Sequence, residues 1–429
     1  MHWIWWLIAA YLALPLTYFV IPFIYKNASI KKRIIIIVLG DLNHSPRMNY
    51  HAKSFIKKGY SVDLCGYLED DSKSDLAGHD DNLIIHQLSI INNSFNLPFI
   101  IFAILKVLSQ VFGLFKLLWD LRGAHYILLQ NPPSVPILAI SIFYKYIFGS
   151  KLIIDWHNLN YTILSIKLGP NHPLVKICKF YEQYLSKFAD LNLTVTKAMK
   201  KYLVKDFQLL DEKIIVLYDK ANNSFNPETP DTFHKLVTKY PDTFKNIQKN
   251  EIIVVTSTSF TPDEDFNILL DALQKYDIKP KLPALRVIVT GKGPLKSEFL
   301  HKVKQSEFKN ISIHSVWLSF EDYPKILSIA HLGVSLHTSS SGLDLPMKIV
   351  DMFGCGIPVI SLNFPSIGEL VDDGINGLIV NSSYELFETL SEIVIDDKKL
   401  SILKSNALIK SRERWDENWN SNLGKILPD

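Results

Sequence analysis

Twice along this chain, β-branched runs too short for helices alternate with amphipathic stretches, and this double alternation constrains the fold most. Ile34-Ile35-Ile36-Ile37-Val38-Leu39 is a buried-strand run ended by Gly40-Asp41. A helical stretch over 45–58 follows, stopped by Gly59, and 61–66 reads as a second strand. Further strand-like runs lie at 83–88, 125–129, 151–154, 191–195 and 214–217, with helical runs between them. Continuously apolar strands alternating with helices predict a parallel sheet covered on both faces. Residues 219–250 break the rhythm with Asn222-Asn223-Ser224, Pro227, Pro230 and Pro241, and read as a connector. Strands then resume at 252–258, 285–290, 311–314, 332–336 and 359–362, with a helix at 263–275. The expected organisation is α/β: two doubly wound domains, 33–218 and 251–395, joined by 219–250 and followed by helices over 396–429. Such domains bind ligands at the carboxyl ends of their strands, here expected to face each other across a cleft. A length of 429 residues suits this count.

The start of the chain is different. No charged residue occurs from Trp3 to Tyr25. At about 1.5 Å per residue this stretch reaches a hydrocarbon core of about 30 Å. Trp3, Trp5 and Trp6 mark one end and Tyr18 and Tyr25 the other, as in aromatic belts. A cleaved signal peptide would want a basic start and a shorter apolar core; Met1-His2 and the long stretch favour an uncleaved transmembrane anchor over 1–26. Lys26, Lys31, Lys32 and Arg33 follow directly, which places the rest of the chain in the cytosol. Cys65, Cys178 and Cys355 are too few and too odd in number for a disulfide framework. Residues 97–119 form a second apolar stretch, interrupted by Lys106, Gln110 and Lys116. It reads as a crossover helix with partial contact to a membrane surface. Lys and Arg number 46 against 43 Asp and Glu, so the basic excess of a nucleic-acid binder is absent.

Polar clusters gather at strand ends. After the first strand, Ser45-Pro46 suits a helix entry as N-cap and first helical residue. Arg47 then stands where the helix dipole favours anions, so it is either a solvent arginine or the partner of an anionic ligand. Asp155-Trp156-His157-Asn158 sets an acid, an aromatic, an imidazole and an amide at another strand end, where the imidazole is a candidate base. Gln130-Asn131-Pro132-Pro133-Ser134 reads first as a stiff loop. In the second half, Thr256-Ser257-Thr258-Ser259 ends one strand and Thr290-Gly291-Lys292-Gly293-Pro294 another. Lys292 is a candidate charge for a diphosphate, although the spacing is not that of a Walker loop. The densest cluster runs from His337 through Ser339, Ser340, Ser341 and Gly342 to Lys348, with a helix starting near Pro346. The first turn of that helix can hold a diphosphate, Lys348 adds charge, and Asp351 can accept from ribose hydroxyls. No zinc spacing and no Asp-x-Asp pair at a strand end occurs, so no metal is expected.

Taken together the motifs are recognisable. Their carriers are 40–52, 130–134, 154–158, 195–199, 216–220, 257–266, 290–295 and 337–348 continuing to Gly356. In this order they are similar to those of the chitobiosyldiphosphodolichol β-mannosyltransferases, glycosyltransferases of the dolichol-linked oligosaccharide pathway. The resemblance implies a GT-B fold of two Rossmann-like domains, with GDP-mannose as donor and no further cofactor. It implies dolichyl diphosphate carrying two N-acetylglucosamines as acceptor, a β1,4 product, and the cytosolic face of the endoplasmic reticulum membrane. Other glycosyltransferases of the pathway are expected partners. GDP-mannose is an α-glycoside, so a β product means inversion, with a base on the acceptor hydroxyl and a stabilised diphosphate. The resemblance assigns the nucleotide to Ser257, Thr258, Lys292, Ser339, Ser340, Ser341, Gly342, Lys348 and Asp351, with Lys220 a further diphosphate candidate. The base is Asp41 by first choice, with His157 and His44 as alternatives. Many retaining GT-B enzymes carry two glutamates eight apart here. Asp351 stands at the second position and Leu343 at the first, which suits another stereochemical course. Within the family the first loop often reads Gly-Arg where this chain has Asn43-His44. Two other readings are weighed against this one: another GT-B transferase with a lipid-linked or protein acceptor, and a non-catalytic scaffold of the pathway.

Overall fold

A computed structural model describes residues 32–68, 80–89, 97–227, 229–248, 250–261 and 264–427. The expected anchor, with Lys26 and Lys31, lies outside them. Among the described residues no helix is long and apolar enough to cross a membrane.

The chain packs as two units. The first ends at Leu193 and takes back 203–215; the second comprises Thr194–Tyr202 and the chain from Val216 onward. The segment 194–202 thus belongs with the second half. The connector also differs from the expectation. It carries helices Pro230–Lys239 and Pro241–Phe244, whose Leu236 and Phe244 are buried in the second unit's core. Pro230 and Pro241 stand at helix starts, where a missing N–H costs nothing.

In the first unit β1 (Arg33–Asp41), β2 (Ser61–Tyr67), β3 (Leu83–Gln87), β4 (Tyr126–Asn131), β5 (Lys151–Trp156), β6 (Leu191–Thr194) and β7 (Ile214–Val216) form one sheet. Its order is β3-β2-β1-β4-β5-β6-β7. β1 pairs in parallel with both β2 and β4, so Ile34 to Ile37 are buried on both faces. That central position explains the unbroken apolar run. Arg33, expected to set topology, is used by the fold: its Nε donates to the buried Asp63 Oδ2 at 2.6 Å. The helix Phe99–Asp120 connects β3 to β4. It buries Leu114 and Leu118, while Ile101, Ile104, Leu105, Leu108 and Phe112 stay exposed.

In the second unit β8 (Ile252–Ser257), β9 (Leu285–Thr290), β10 (Ile311–Val316), β11 (Leu332–Ser335), β12 (Val359–Leu362) and β13 (Gly377–Val380) run in the order β10-β9-β8-β11-β12-β13. The pairs are again parallel. β13 is an addition to the sequence reading, four residues opening on a glycine. Strand order reverses between β1 and β4 in one sheet and between β8 and β11 in the other. These are the switch points at which open α/β sheets receive ligands.

Candidate active site

At the second switch point β8 ends at Ser257 with Thr258 directly after it, and the loop after β11 begins at Leu336 and His337. An isolated bridge joins His337 to Glu264, so the two loops lie side by side. Glu264 is buried and ties them down. It accepts from Thr258 Oγ1 at 2.5 Å, from the Ser259 N–H at 3.3 Å, and from the ammonium of Lys348. The serine loop is wound around Ser339. Its hydroxyl oxygen accepts the N–H of Ser341 at 3.2 Å and of Gly342 at 2.8 Å, and it donates to Asp344. Gly342 has φ +70°, and its carbonyl accepts from the buried Ser366 hydroxyl at 2.6 Å. Ser340 stands in the same turn. The helix Met347–Gly354 starts directly after, with Pro346 as its N-cap. Its first-turn N–H groups carry the positive end of the helix dipole. Lys348 is in that turn, paired with Glu264.

Asp351 lies one turn further along. Tyr323 Oη stands 3.1 Å from Ser257 Oγ and 3.4 Å from Asp351 Oδ2, linking the two predicted residues. Burial pushes the Asp351 carboxyl up to about 8; Tyr323 pulls it down and Asp219 pushes it further up. Near neutral pH it therefore carries a proton and can donate as well as accept. Lys292 sits one strand outward. Val316 pairs with Thr290, so the residues after β9 and β10 emerge together. The Lys292 ammonium rests 4.7 Å from the ring centre of the exposed Trp317, an aromatic that motif reading passed over. The Gly291 backbone, at φ +138°, leaves no room for a side chain: a Cβ there would stand 1.8 Å from the Thr258 carbonyl oxygen. Lys220, the connector candidate, is turned to the end of the chain, paired with Glu413.

At the first switch point Asp41 ends β1. Its Oδ1 accepts the Asn43 N–H at 3.1 Å and its Oδ2 the His44 Nδ1–H at 2.5 Å. Both oxygens are engaged and the side chain is 8% exposed, against 55% for His44. Asp41 thus holds the His44 imidazole and the turn that follows β1. Ser45 is the N-cap of the helix Pro46–Lys57, but its hydroxyl donates to the Asp41 carbonyl instead of capping.

Arg47 departs from both expectations. It is neither exposed nor open to an external anion: it is 2% exposed and grips Asp155 with two hydrogen bonds of 2.8 Å. Asp155 is fully buried and also receives His157 Nε2–H at 2.9 Å, with His51 Nε2 at 3.3 Å. Burial alone would raise this carboxyl, but Arg47, His157 and His51 outweigh it and hold it well below the usual range. Burial also lowers His51, against the pull of Asp155, so His51 stays neutral. Asp155 is a permanent anion and no proton acceptor at working pH. His157, 25% exposed, is the member that can meet a substrate. With Nε2 donating to Asp155, its Nδ1 carries the lone pair. Neighbouring motif residues serve the frame. Trp156 Nε1–H donates to Asn192 at 2.8 Å, and Asn131 Nδ2–H to the buried Glu182 at 3.0 Å. Among the described residues no group of three His, Cys, Asp or Glu side chains could hold a metal ion.

Residues 242–418 match the family described as glycosyl transferases group 1. The chain is 52% identical to the chitobiosyldiphosphodolichol beta-mannosyltransferase of Debaryomyces hansenii, covering 99% of this chain and 94% of that protein. The chain belongs to this family. The mouse member is 37% identical over 92% of this chain and 89% of its own length. The fold is also that of solved glycosyltransferase structures. Anabaena HepE in complex with UDP and glucose superposes with a TM-score of 0.68 at 17% identity, covering 91% of this chain and 97% of that one. Sucrose-phosphate synthase from Thermosynechococcus elongatus gives 0.68 at 14% identity, over 92% and 98%. The chain is therefore a β-mannosyltransferase-family enzyme of GT-B fold. In its second unit the predicted residues Ser257, Thr258, Ser339, Ser340, Ser341, Gly342, Lys348 and Asp351 gather at one switch point, with Lys292 one strand away. Glu264 and Tyr323, which join these groups, were missed. Glu264 lies inside a motif already quoted, but only the fold shows it reaching Lys348, 84 positions on.

Proposed function

We propose that this enzyme transfers mannose from GDP-mannose, in β1,4 linkage and with inversion, to chitobiose carried on dolichyl diphosphate, the first mannosylation of the lipid-linked oligosaccharide. The observation that carries the reading is near-full-length identity to enzymes named for this activity, with the polar loops at both switch points intact. A scaffold would have no use for a lysine and a wound serine loop at a strand end.

The chemistry follows from the groups present. The GDP-mannose diphosphate lies at the first turn of Met347–Gly354, where it displaces Glu264 from Lys348. Its leaving charge is stabilised there by N–H groups and the ammonium. Asp351 meets the ribose. The acceptor hydroxyl attacks the anomeric carbon on the face opposite the diphosphate, and the C1–O bond to phosphate breaks as the new bond forms. His157 Nδ1 takes the hydroxyl proton, with Asp155 stabilising the imidazolium. Asp41 was the first choice from sequence; its engaged oxygens make His157 the better base, and His44 the alternative.

The reading includes a single-pass anchor in the endoplasmic reticulum membrane with both units in the cytosol. Supporting it are the uncharged stretch and the cations after it, the three free and buried cysteines, and the exposed apolar side of Phe99–Asp120 with exposed Lys106 and Lys116. The test is transfer of labelled mannose from GDP-mannose to lipid-diphosphate chitobiose by the purified full chain, followed by β-mannosidase digestion. Release of the label by β-mannosidase is expected. An α-linked product, or no transfer, refutes the proposal.

A further inference from the structure

Arg47 is absorbed by neither the donor site nor the base. It opens a helix, where the dipole disfavours a cation, and it reaches 108 positions along the chain to a buried carboxylate. A buried ion pair is often no better for stability than apolar packing of the same volume, so its presence is weak evidence for a purely structural role. We propose that Arg47 is a positioning residue for mannosyl transfer: its fork fixes the Asp155 carboxylate that holds His157 Nε2–H, so that His157 presents Nδ1 in one tautomer and one orientation. The inference rests on the reading of His157 as base.

The geometry separates two tasks. Arg47 Nε and Nη2 take one oxygen each, Oδ2 and Oδ1, so the carboxylate plane cannot turn. His157 uses Oδ2 as well, and with Nε2 donating the lone pair is on Nδ1. The groups facing Asp155 are Arg47 and His51 from the helix Pro46–Lys57, and His157 from its own strand end.

The test is steady-state kinetics of the full chain with GDP-mannose and lipid-diphosphate chitobiose, with kcat and KM read separately and GDP affinity and unfolding temperature measured beside them. Arg47→Lys keeps the charge and loses the fork; kcat falls ~10-fold at unchanged KM. Asp155→Asn takes away the carboxylate that fixes the tautomer of His157, and kcat falls ~100-fold or more at unchanged KM. A loss in kcat with GDP affinity and unfolding temperature kept is the signature, because a merely structural role lowers the unfolding temperature as well. Should Arg47→Met fail to fold, the double variant Arg47→Met/Asp155→Asn buries no unpaired charge and has the reduced kcat of Asp155→Asn. Wild-type kcat in that double variant, or wild-type kcat in Arg47→Lys, overturns the inference. His157→Gln separates the two readings. If it retains wild-type activity, the base assignment fails; if it is inactive while Arg47→Lys keeps wild-type kcat, only the role of Arg47 fails.

Discussion

The two sheets share an architecture and treat charge in opposite ways. At the first switch point Asp155 is fully buried and its ion pair with Arg47 is closed to solvent. At the second, Lys348 keeps 16% exposure and pairs with Glu264, which also ties down Thr258. Lys292 leans on an exposed indole. A closed pair fixes an orientation, which a general base requires. A lysine on an exchangeable partner can pass to an incoming anion, which donor binding requires. The same fold thus carries one closed ion pair and one partly open one, and the proposal that the first orients a base while the second yields to the donor can be broken by substitution.

His157→Gln should give the largest effect. The amide cannot accept the proton, so kcat should fall ~10³-fold, within the range for removal of a general base, while GDP affinity stays within about twofold. Stopped turnover with intact GDP binding by calorimetry would sharpen the division of labour. Loss of GDP binding would show that the first unit's dyad is needed for the donor, and the contrast would break.

The second test acts on the exchangeable pair. Lys348→Met alone leaves Glu264 buried and unpaired, at a cost of about 3–5 kcal/mol, so stability and binding would be confounded. Glu264→Gln/Lys348→Met removes both charges. If the lysine serves the diphosphate, KM for GDP-mannose should rise ~10- to 100-fold with an unfolding temperature close to wild type. An unchanged KM would make this pair structural, like that of Arg33 and Asp63.

These pairs also mark what the sequence could reveal. The run at 34–39 announced the central strand because burial on both faces forbids polar residues. The loop at 337–348 announced a site because hydroxyls, a glycine and a lysine crowd a strand-to-helix turn. β13 stayed silent: four residues beginning with Gly377 carry no periodicity, and pairing to β12 creates the strand. Arg47 was misread because its helix start is local while its partner Asp155 is distant. Glu264 and Tyr323 went unnoticed because each gains meaning only through residues dozens of positions away. Local chemistry was legible; long-range pairing was not.

A smaller effect is expected at Asp351. Its folded-state carboxyl titrates at about 8, well above its ordinary 3.8, because of burial. The folded protein therefore holds this proton more tightly than the unfolded chain. Stability is greatest where both states are protonated and declines as pH rises through about 8, at up to about 1.4 kcal/mol per pH unit. Asp351→Asn removes the slope. Thermal melts from pH 5 to 9 should show a wild-type decline that levels above 8 and a flatter line for the variant. Parallel lines would mean the carboxylate is already ionised and meets the donor as an acceptor only. KM for GDP-mannose should rise a few-fold in the variant, since an amide keeps a donor and an acceptor.

The smallest effect is expected at Lys220, the residue on which sequence and structure part. The motif Val-Leu-Tyr-Asp-Lys offered it to the diphosphate, yet its ammonium pairs with Glu413 and lies 5.8 Å from the Tyr218 ring centre. Glu413 is 45% exposed, so the pair is screened by solvent and worth about 0–1 kcal/mol. Lys220→Met should shift stability by no more than that and leave KM for GDP-mannose within about twofold. Glu413→Gln supplies the sharper half of the test. If Lys220 only anchors the C-terminal segment, the two variants behave alike. If it serves the donor, Glu413→Gln frees the ammonium and lowers KM while Lys220→Met raises it. Opposite signs would place Lys220 beside Lys348 among the exchangeable cations, and equal signs would leave it with the structural pairs.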